Sequence, residues 1–219
     1  WLQHGFTESK DDWAEYGKKL SDAGFIAMAT TLPTADIFGC TVENVGNNTL
    51  YLNNIATIFG QAGSGSGALV SSYNDAARKV GRTGLAFPSN WAFVGHSAGG
   101  EAVTYIANRI RTAYPSAFPK LKGLVLEDPV PSFIGSNLSD ALAGLNPTSL
   151  RILALASPSG SCNNNNAGID LVTGKLTTRS FHGAVLRSGT HGDVFGTAVP
   201  SAETLTCGTP TASNTAVVQ

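Results

Sequence analysis

The sequence predicts an α/β fold in which a mostly parallel central sheet is covered by helices on both faces. Apolar runs of strand length alternate along the chain with amphipathic runs of helix length, and this alternation is typical of parallel sheets with crossover helices. One segment, residues 91–110, passes from a strand-like run through a glycine-rich turn into a helix-like run. A length of 219 residues suits one domain, so we expect residues 1–219 to form a single domain.

The elements follow in order from the spacing of apolar residues. Strands are predicted at residues 1–3, 25–30, 91–94, 121–127, 150–156 and 181–186. Helices are predicted over residues 10–22, over two stretches of residues 48–81 that residues 60–67 separate, and after the turn at residue 97. The first residues read like the end of a strand, and the last ones like the approach to a final helix. We therefore expect a chain truncated at both ends.

The turn at residues 95–99 reads Gly-His-Ser-Ala-Gly, with Ser97 at its apex. Apolar residues at helical spacing follow it: Ala102, Val103, Ile106 and Ile110. A serine raised on a sharp strand-to-helix turn is typical of a nucleophile, and the flanking glycines leave room for the neighbouring strand and helix. Ser97 is therefore the predicted nucleophile, the alternative being a flexible turn rich in glycine and serine.

A serine hydroxyl needs an imidazole base to act as a nucleophile. In enzymes with such a turn, the base follows the last strand, and His191 has this position. His182 begins that strand and is interpreted as a packed or edge residue. The side chain of His96 must point away from Ser97, which favours a structural role, and His4 follows the first strand. His191 is the predicted base.

The acid that orients the base is predicted to be Asp128. It ends the fourth predicted strand, and Pro129 stops both ladder and helix there. Glu127 is the nearest competitor, but alternation along a strand sends the two side chains in opposite directions. Asp170 and Asp193 are weaker options, the latter because it lies close in sequence to the predicted base. The other interpretation of Asp128 is a turn-capping residue.

Two backbone N–H groups are expected to bind the oxyanion. One belongs to Ala98, directly after the nucleophile, and the other to Phe6, in the loop after the first strand. Phe6 and Phe133 are also predicted to line the substrate site, which favours an apolar acyl or aryl group. The four asparagines at residues 163–166 are interpreted as a polar loop without a catalytic role.

Composition narrows the function classes. Charged residues make up 13% of the chain and the net charge is −1, so nothing suggests a nucleic-acid partner. No apolar run approaches the roughly 20 residues that span a bilayer. A polar surface poor in charge favours a secreted protein, extracellular or periplasmic.

Cys162 and Cys207 are expected to form a disulfide, with Cys40 free or paired outside the chain. The cysteines lack metal-type spacing, and we expect neither metal nor cofactor.

Four segments together resemble the α/β-hydrolase superfamily: Gln-His-Gly-Phe at residues 3–6, the turn at 95–100, Leu-Glu-Asp-Pro-Val at 126–130 and Gly-Thr-His-Gly-Asp at 189–193. Within it they are most similar to chlorophyllase-type, cutinase-like polyesterase and platelet-activating-factor acetylhydrolase-like esterases. The resemblance implies Asp128 as the acid of a triad and implies that the first strands of the superfamily sheet are missing. The chlorophyllase-type turn has arginine where Ala98 stands, which argues against chlorophyll as the substrate.

The predicted function is hydrolysis of carboxylic esters through an acyl-serine intermediate. The partner would be a small-molecule or polymeric ester, bound by a monomer. Two alternatives stay open. The same three side chains could hydrolyse amides, as an amidase or peptidase does, or the chain could be a non-catalytic binding protein with the same fold.

Overall fold

A computed structural model describes residues 1–219 and contains one six-stranded sheet. Its strands are β1 (Leu2–Gln3), β2 (Ala29–Thr30), β3 (Trp91–His96), β4 (Leu121–Glu127), β5 (Arg151–Ala156) and β6 (Gly183–Val185). The spatial order is β2-β1-β3-β4-β5-β6, and every neighbouring pair is parallel. The predicted α/β class with a parallel sheet is confirmed.

Eight α-helices connect and flank the strands: α1 (Ala14–Asp22), α2 (Thr49–Gly63), α3 (Ala68–Lys79), α4 (Ala98–Ala113), α5 (Asn137–Leu145), α6 (Ala167–Lys175), α7 (Ser201–Cys207) and α8 (Ala212–Val218). Short 3₁₀ helices lie at Lys10–Trp13, Phe118–Lys120, Ser161–Asn166 and Asp193–Ala198. None of the helices combines the length and the apolar character needed to cross a membrane.

Two apolar clusters cover the two faces of the sheet. Successive residues of a strand point to opposite faces, and in β3 Phe93 belongs to the larger cluster whereas Val94 belongs to the smaller. Helices α2, α4 and α5 supply the larger cluster. The smaller one is built on Trp13 and Phe195, whose rings meet edge to face. The carboxyl ends of the strands lie between these two layers.

The strand predicted at residues 25–30 is wrong over most of its length, because only Ala29–Thr30 pair with β1. Phe25 and Ile26 are exposed instead, since β1 offers only two residues for pairing. The break predicted at residues 60–67 is also too long, because α2 continues to Gly63. Gly60 lies inside this helix with its Cα against the ring of Tyr114, where a Cβ would come within 2.4 Å.

The end of the chain differs from the prediction. The sequence predicted that the chain stops before a final helix, but the structure contains one, α8. Thr211 caps this helix by accepting a hydrogen bond from the Asn214 N–H at 3.2 Å. The predicted disulfide between Cys162 and Cys207 is confirmed, and Cys40 is free and exposed.

Candidate functional site

Ser97 lies between the end of β3 and the start of α4, in a strained conformation with φ of 53° and ψ of −125°. Positive φ is uncommon for residues other than glycine and is found where the surrounding structure enforces it. Here the end of β4 and the segment that follows it provide the restraint. The Ser97 N–H donates to the Glu127 carbonyl at 3.0 Å, and the Val130 N–H donates to the Ser97 carbonyl at 3.1 Å. The backbone thus holds this serine at the carboxyl edge of the sheet.

The two glycines that flank the turn are required by close backbone contacts. A Cβ on Gly95 would lie 2.4 Å from the Gly99 carbonyl oxygen, and one on Gly99 would lie 2.4 Å from the carbonyl oxygens of Gln3 and His4. Side chains at either position would separate α4 from the ends of β1 and β3. The small residues that the sequence places here are therefore what permits the sharp turn.

Asp128 and His191 form a buried pair at the same edge. The Nδ1 atom of His191 lies 2.7 Å from Oδ2 of Asp128, and both residues are at least 92% buried. Asp128 also has positive φ, at 44°. Its N–H still donates to the Leu155 carbonyl of the neighbouring strand, at 2.6 Å. The sequence predicted both residues, and the structure brings them together.

Further donors to the Asp128 carboxylate went unnoticed in the sequence. Ser157 donates to it twice, from its N–H at 3.2 Å and from its hydroxyl at 2.5 Å. The Asn163 side-chain amide donates at 3.3 Å. Asn163 belongs to the run interpreted as a polar loop without a catalytic role, and in the structure its side chain holds the predicted acid by this hydrogen bond. Ser157 could have been found, because it directly follows β5 at the same edge as the acid.

The hydrogen bonds define the tautomer of His191. A carboxylate only accepts, so the imidazole donates through Nδ1 and its Nε2 carries the lone pair. This Nε2 has no hydrogen-bond partner within the protein. The bond from the Ser97 hydroxyl to His191 Nε2 is not formed in the structure, and catalytic hydrogen bonds of this type are often long before a substrate binds.

The loop after β1 packs directly against Ser97. A Cβ on Gly5 would lie 2.6 Å from the Cβ of Ser97 and 3.2 Å from its hydroxyl oxygen. The next N–H group, that of Phe6, makes no hydrogen bond to any protein group. Ala98 is the first residue of α4, so its N–H has no partner within the helix. The two predicted oxyanion donors are thus free backbone groups on either side of the serine.

None of the three competing acids is hydrogen-bonded to the His191 ring. Glu127 is buried, and its Oε1 has no hydrogen-bond partner. Burial, with the adjacent Asp128 charge as a second cause, raises the pKa of Glu127 well above its ordinary value. Asp193 accepts from the Thr190 N–H at 2.7 Å and braces the loop of the base. Asp170 is exposed on α6.

The other three histidines are all hydrogen-bonded to protein groups. His182 contacts the Leu176 carbonyl at 2.9 Å, in line with its predicted packing role. Both ring nitrogens of His96 are used, one by Glu8 at 2.9 Å and one by the His191 carbonyl at 2.8 Å. His4 is also engaged through both nitrogens. His96 and His4 thus have no free ring nitrogen, whereas His182 and His191 each keep one.

Phe6 and Phe133, the predicted substrate contacts, are 48% and 86% exposed. Phe133 follows Ser132, which anchors its loop by donating from the hydroxyl and the N–H to Glu101 at 2.5 and 3.0 Å. Burial raises the pKa of Glu101 to about 7. A cleft of about 170 Å³ borders His191 on the side of the disulfide. The role of the two phenylalanines in substrate binding stays a prediction.

One cluster combines side chains that can bind a cation. Ligand-type atoms of His96, His191 and Glu203 lie within 4.8 Å of one another. A metal ion would have to displace a hydrogen bond of His96, because both of its ring nitrogens are already used. The donor set therefore fits hydrogen bonding within the protein better than metal ligation.

No family model matches the chain, and no curated protein matches it. The functional interpretation therefore depends on the geometry of the site.

Proposed function

We propose that the protein is a serine hydrolase with the α/β-hydrolase fold that cleaves carboxylic esters. One observation carries the proposal. A strained serine on a strand-to-helix turn shares one edge of a parallel sheet with an imidazole whose Nδ1 is bound to a buried carboxylate. This is the arrangement by which a weak hydroxyl nucleophile is activated.

In the first half of the reaction, His191 Nε2 accepts the proton of the Ser97 hydroxyl as the oxygen attacks the ester carbonyl. Asp128 keeps the ring in the required tautomer and stabilises the imidazolium that forms. The tetrahedral intermediate collapses as His191 returns the proton to the departing alcohol. An acyl group is then bound to Ser97.

In the second half, His191 takes a proton from water, and the resulting hydroxide attacks the acyl carbonyl. The proton returns to Ser97 as the acid leaves. In both halves the oxyanion of the tetrahedral intermediate accepts hydrogen bonds from the free N–H groups of Phe6 and Ala98. Removing one such donor typically costs about 2.7–4 kcal/mol of transition-state stabilisation. The chain's own groups perform every one of these steps.

An apolar or aryl ester, small or polymeric, is the proposed substrate class. The exposed rings of Phe6 and Phe133 support it, since aromatic side chains provide apolar contact area at low entropic cost. The resemblance to chlorophyllase-type, cutinase-like and platelet-activating-factor acetylhydrolase-like esterases agrees with this class. The disulfide is compatible with secretion. Secretion and the monomeric state stay predictions.

A series of nitrophenyl esters with graded acyl length tests the proposal. We expect hydrolysis by the wild type, and Ser97→Ala should lower kcat by roughly 10⁵-fold or more. Ser72→Ala, at an exposed position on α3, is the matched control and should keep the wild-type rate. Hydrolysis that survives in Ser97→Ala would contradict the assignment of the nucleophile.

The two alternatives give different results in the same assays. An amidase would cleave the matching nitroanilides at rates comparable to the esters. A binding protein with this fold would cleave neither and would not react with a serine-directed phosphonate.

A further inference from the structure

A buried series of hydrogen bonds, separate from that between Asp128 and His191, links the loop of Phe6 to the loop of His191. The Gly5 N–H donates to Glu8 Oε2 at 2.6 Å, Glu8 Oε1 lies 2.9 Å from His96 Nδ1, and His96 Nε2 lies 2.8 Å from the His191 carbonyl oxygen. Glu8 and His96 are 9% and 0% exposed. The mechanism above uses neither side chain, although His96 directly precedes the nucleophile.

The direction of each hydrogen bond can be assigned from its partners. A carbonyl oxygen only accepts, so His96 Nε2 carries a proton. Nδ1 then either donates to a Glu8 carboxylate or, in a neutral ring, accepts from a protonated Glu8 carboxyl group. Burial, the main cause, raises the pKa of Glu8 to about 8, which agrees with a neutral carboxyl group at neutral pH. The ionisable groups facing it are Asp12, His96, His191 and Glu203.

The same loop is held from its other side by His4. The His4 Nε2 accepts from the Leu32 N–H at 3.0 Å, so its Nδ1 donates to the Gly5 carbonyl at 2.8 Å. This carbonyl and the Phe6 N–H belong to one planar trans peptide and point in opposite directions. Fixing the carbonyl therefore fixes the direction of the N–H, while Glu8 fixes the preceding peptide through the Gly5 N–H.

We propose that Glu8 and His96 are positioning residues that keep the oxyanion-binding loop and the loop of the base in a fixed arrangement around Ser97. This inference rests on the proposed esterase function. Neither residue touches the reacting atoms. Each acts through a backbone group, Glu8 through the Gly5 N–H and His96 through the His191 carbonyl.

The test separates positioning from general stability. Glu8→Leu and His96→Phe keep the volume and remove the hydrogen bonds. A misplacement of about 1 Å can lower the rate by about 10²-fold, so we expect kcat to fall by that factor while KM changes less than threefold. Because both residues belong to the same series of hydrogen bonds, kcat of the double variant should fall no further than that of either single variant.

Glu8→Gln is the conservative variant. Its amide oxygen can accept from the Gly5 N–H and its NH₂ group can donate to His96 Nδ1, as the neutral carboxyl group does. We expect kcat within about fivefold of the wild type at pH 7. Above pH 8, kcat should fall in the wild type as Glu8 ionises and stay level in Glu8→Gln. This pH profile decides the question even if Glu8→Leu does not fold.

Glu15→Gln is the matched control. The Glu15 carboxylate also ties the N-terminal region to the segment after the base, by accepting from the Thr197 N–H and hydroxyl at 3.0 and 2.8 Å, but it does not contact His96. We expect its kcat to equal that of the wild type.

Two results would overturn the positioning role in an active wild-type enzyme. One is a folded Glu8→Leu variant with unchanged kcat, and the other is a Glu8→Gln variant with the wild-type pH profile. A wild type that cleaves no ester would instead contradict the proposed function and, with it, this inference.

Discussion

Two buried histidine–carboxylate pairs meet at the carboxyl edge of the sheet, and their rings lie 4.4 Å apart, centre to centre. In the pair of Asp128 and His191, the imidazole keeps Nε2 free of protein hydrogen bonds. In the pair of Glu8 and His96, both ring nitrogens are bound. Of these two imidazoles, only that of His191 has a nitrogen left to accept a proton from a group outside the pair.

Hydrogen bonding of the ring nitrogens, rather than burial or pairing with a carboxyl group, distinguishes the two imidazoles. Both rings are more than 90% buried, and both contact a carboxyl group below 3 Å. Asp128 receives hydrogen bonds from neutral donors of Ser157 and Asn163, which stabilise a carboxylate. Glu8 has one such donor, the Gly5 N–H, and burial keeps it neutral at pH 7.

The largest expected difference between the pairs comes from replacing each acid by its amide. In Asp128→Asn, the amide can hold the imidazole in the wrong tautomer, and we expect kcat for nitrophenyl ester hydrolysis to fall by about 10⁴-fold. The same change at Glu8 should cost less than about fivefold. Equal losses in the two variants would mean that the pairs do not differ in the way described.

The disulfide and the free cysteine provide a second comparison. The disulfide anchors the segment that carries Asn163 next to the first pair. The bond joins Cys162 to Cys207 across 45 residues. Replacing both cysteines by serine should lower the free energy of unfolding by about 2–4 kcal/mol, since the unfolded chain is no longer restrained. Chemical denaturation measures this. Cys40→Ser, at the free and exposed cysteine, should leave the stability unchanged.

Removing one of the groups that donate to Asp128 tests how much these hydrogen bonds contribute to the free energy of unfolding. Ser157→Ala deletes the hydroxyl at 2.5 Å and leaves a buried carboxylate short of a partner. We expect the free energy of unfolding to fall by about 1.5–3 kcal/mol. Ser159→Ala, in the same loop but exposed, is the control for urea denaturation. An unchanged midpoint in Ser157→Ala would show that the hydroxyl does not support the acid.

A further difference between the pairs concerns the pH dependence of stability that Glu8 contributes. Its pKa is raised from 4.5 to about 8 on folding. As pH rises from 4.5, the unfolded chain loses this proton first, so the free energy of unfolding decreases until the folded carboxyl group also ionises near pH 8. Gln does not titrate.

We therefore expect the stability of Glu8→Gln relative to the wild type to increase between pH 5 and pH 8 and then to level off. Thermal melts of the two proteins across this range measure the difference. Parallel curves for the two proteins would contradict a neutral Glu8 in the second pair.

The first pair was predictable from the sequence because its members follow strands with clear local signals. The strand before Asp128 carries an apolar run at residues 124–126 and is followed by a proline, and its predicted bounds of 121–127 agree with β4. The turn at Ser97 is encoded by glycines that local backbone contacts require. His191 followed from its place after the last strand.

The second pair was not predictable, since no strand end or motif in the sequence marks Glu8 as the partner of His96. Glu8 lies in a polar stretch that reads as an exposed loop, and 88 residues separate it from His96. Asn163 likewise reaches Asp128 only because its loop folds back over the edge of the sheet. The strand at residues 25–30 failed for the same reason, because pairing depends on the two residues of β1 rather than on its own apolar run.

Reaction with a serine-directed phosphonate, followed by mass spectrometry of the labelled peptide, tests the central claim most directly. We predict one adduct per chain, on Ser97, which forms with the folded wild type and is abolished by heat denaturation or by Ser97→Ala. A folded wild-type protein that stays unlabelled, or that is labelled at another residue, would contradict the account.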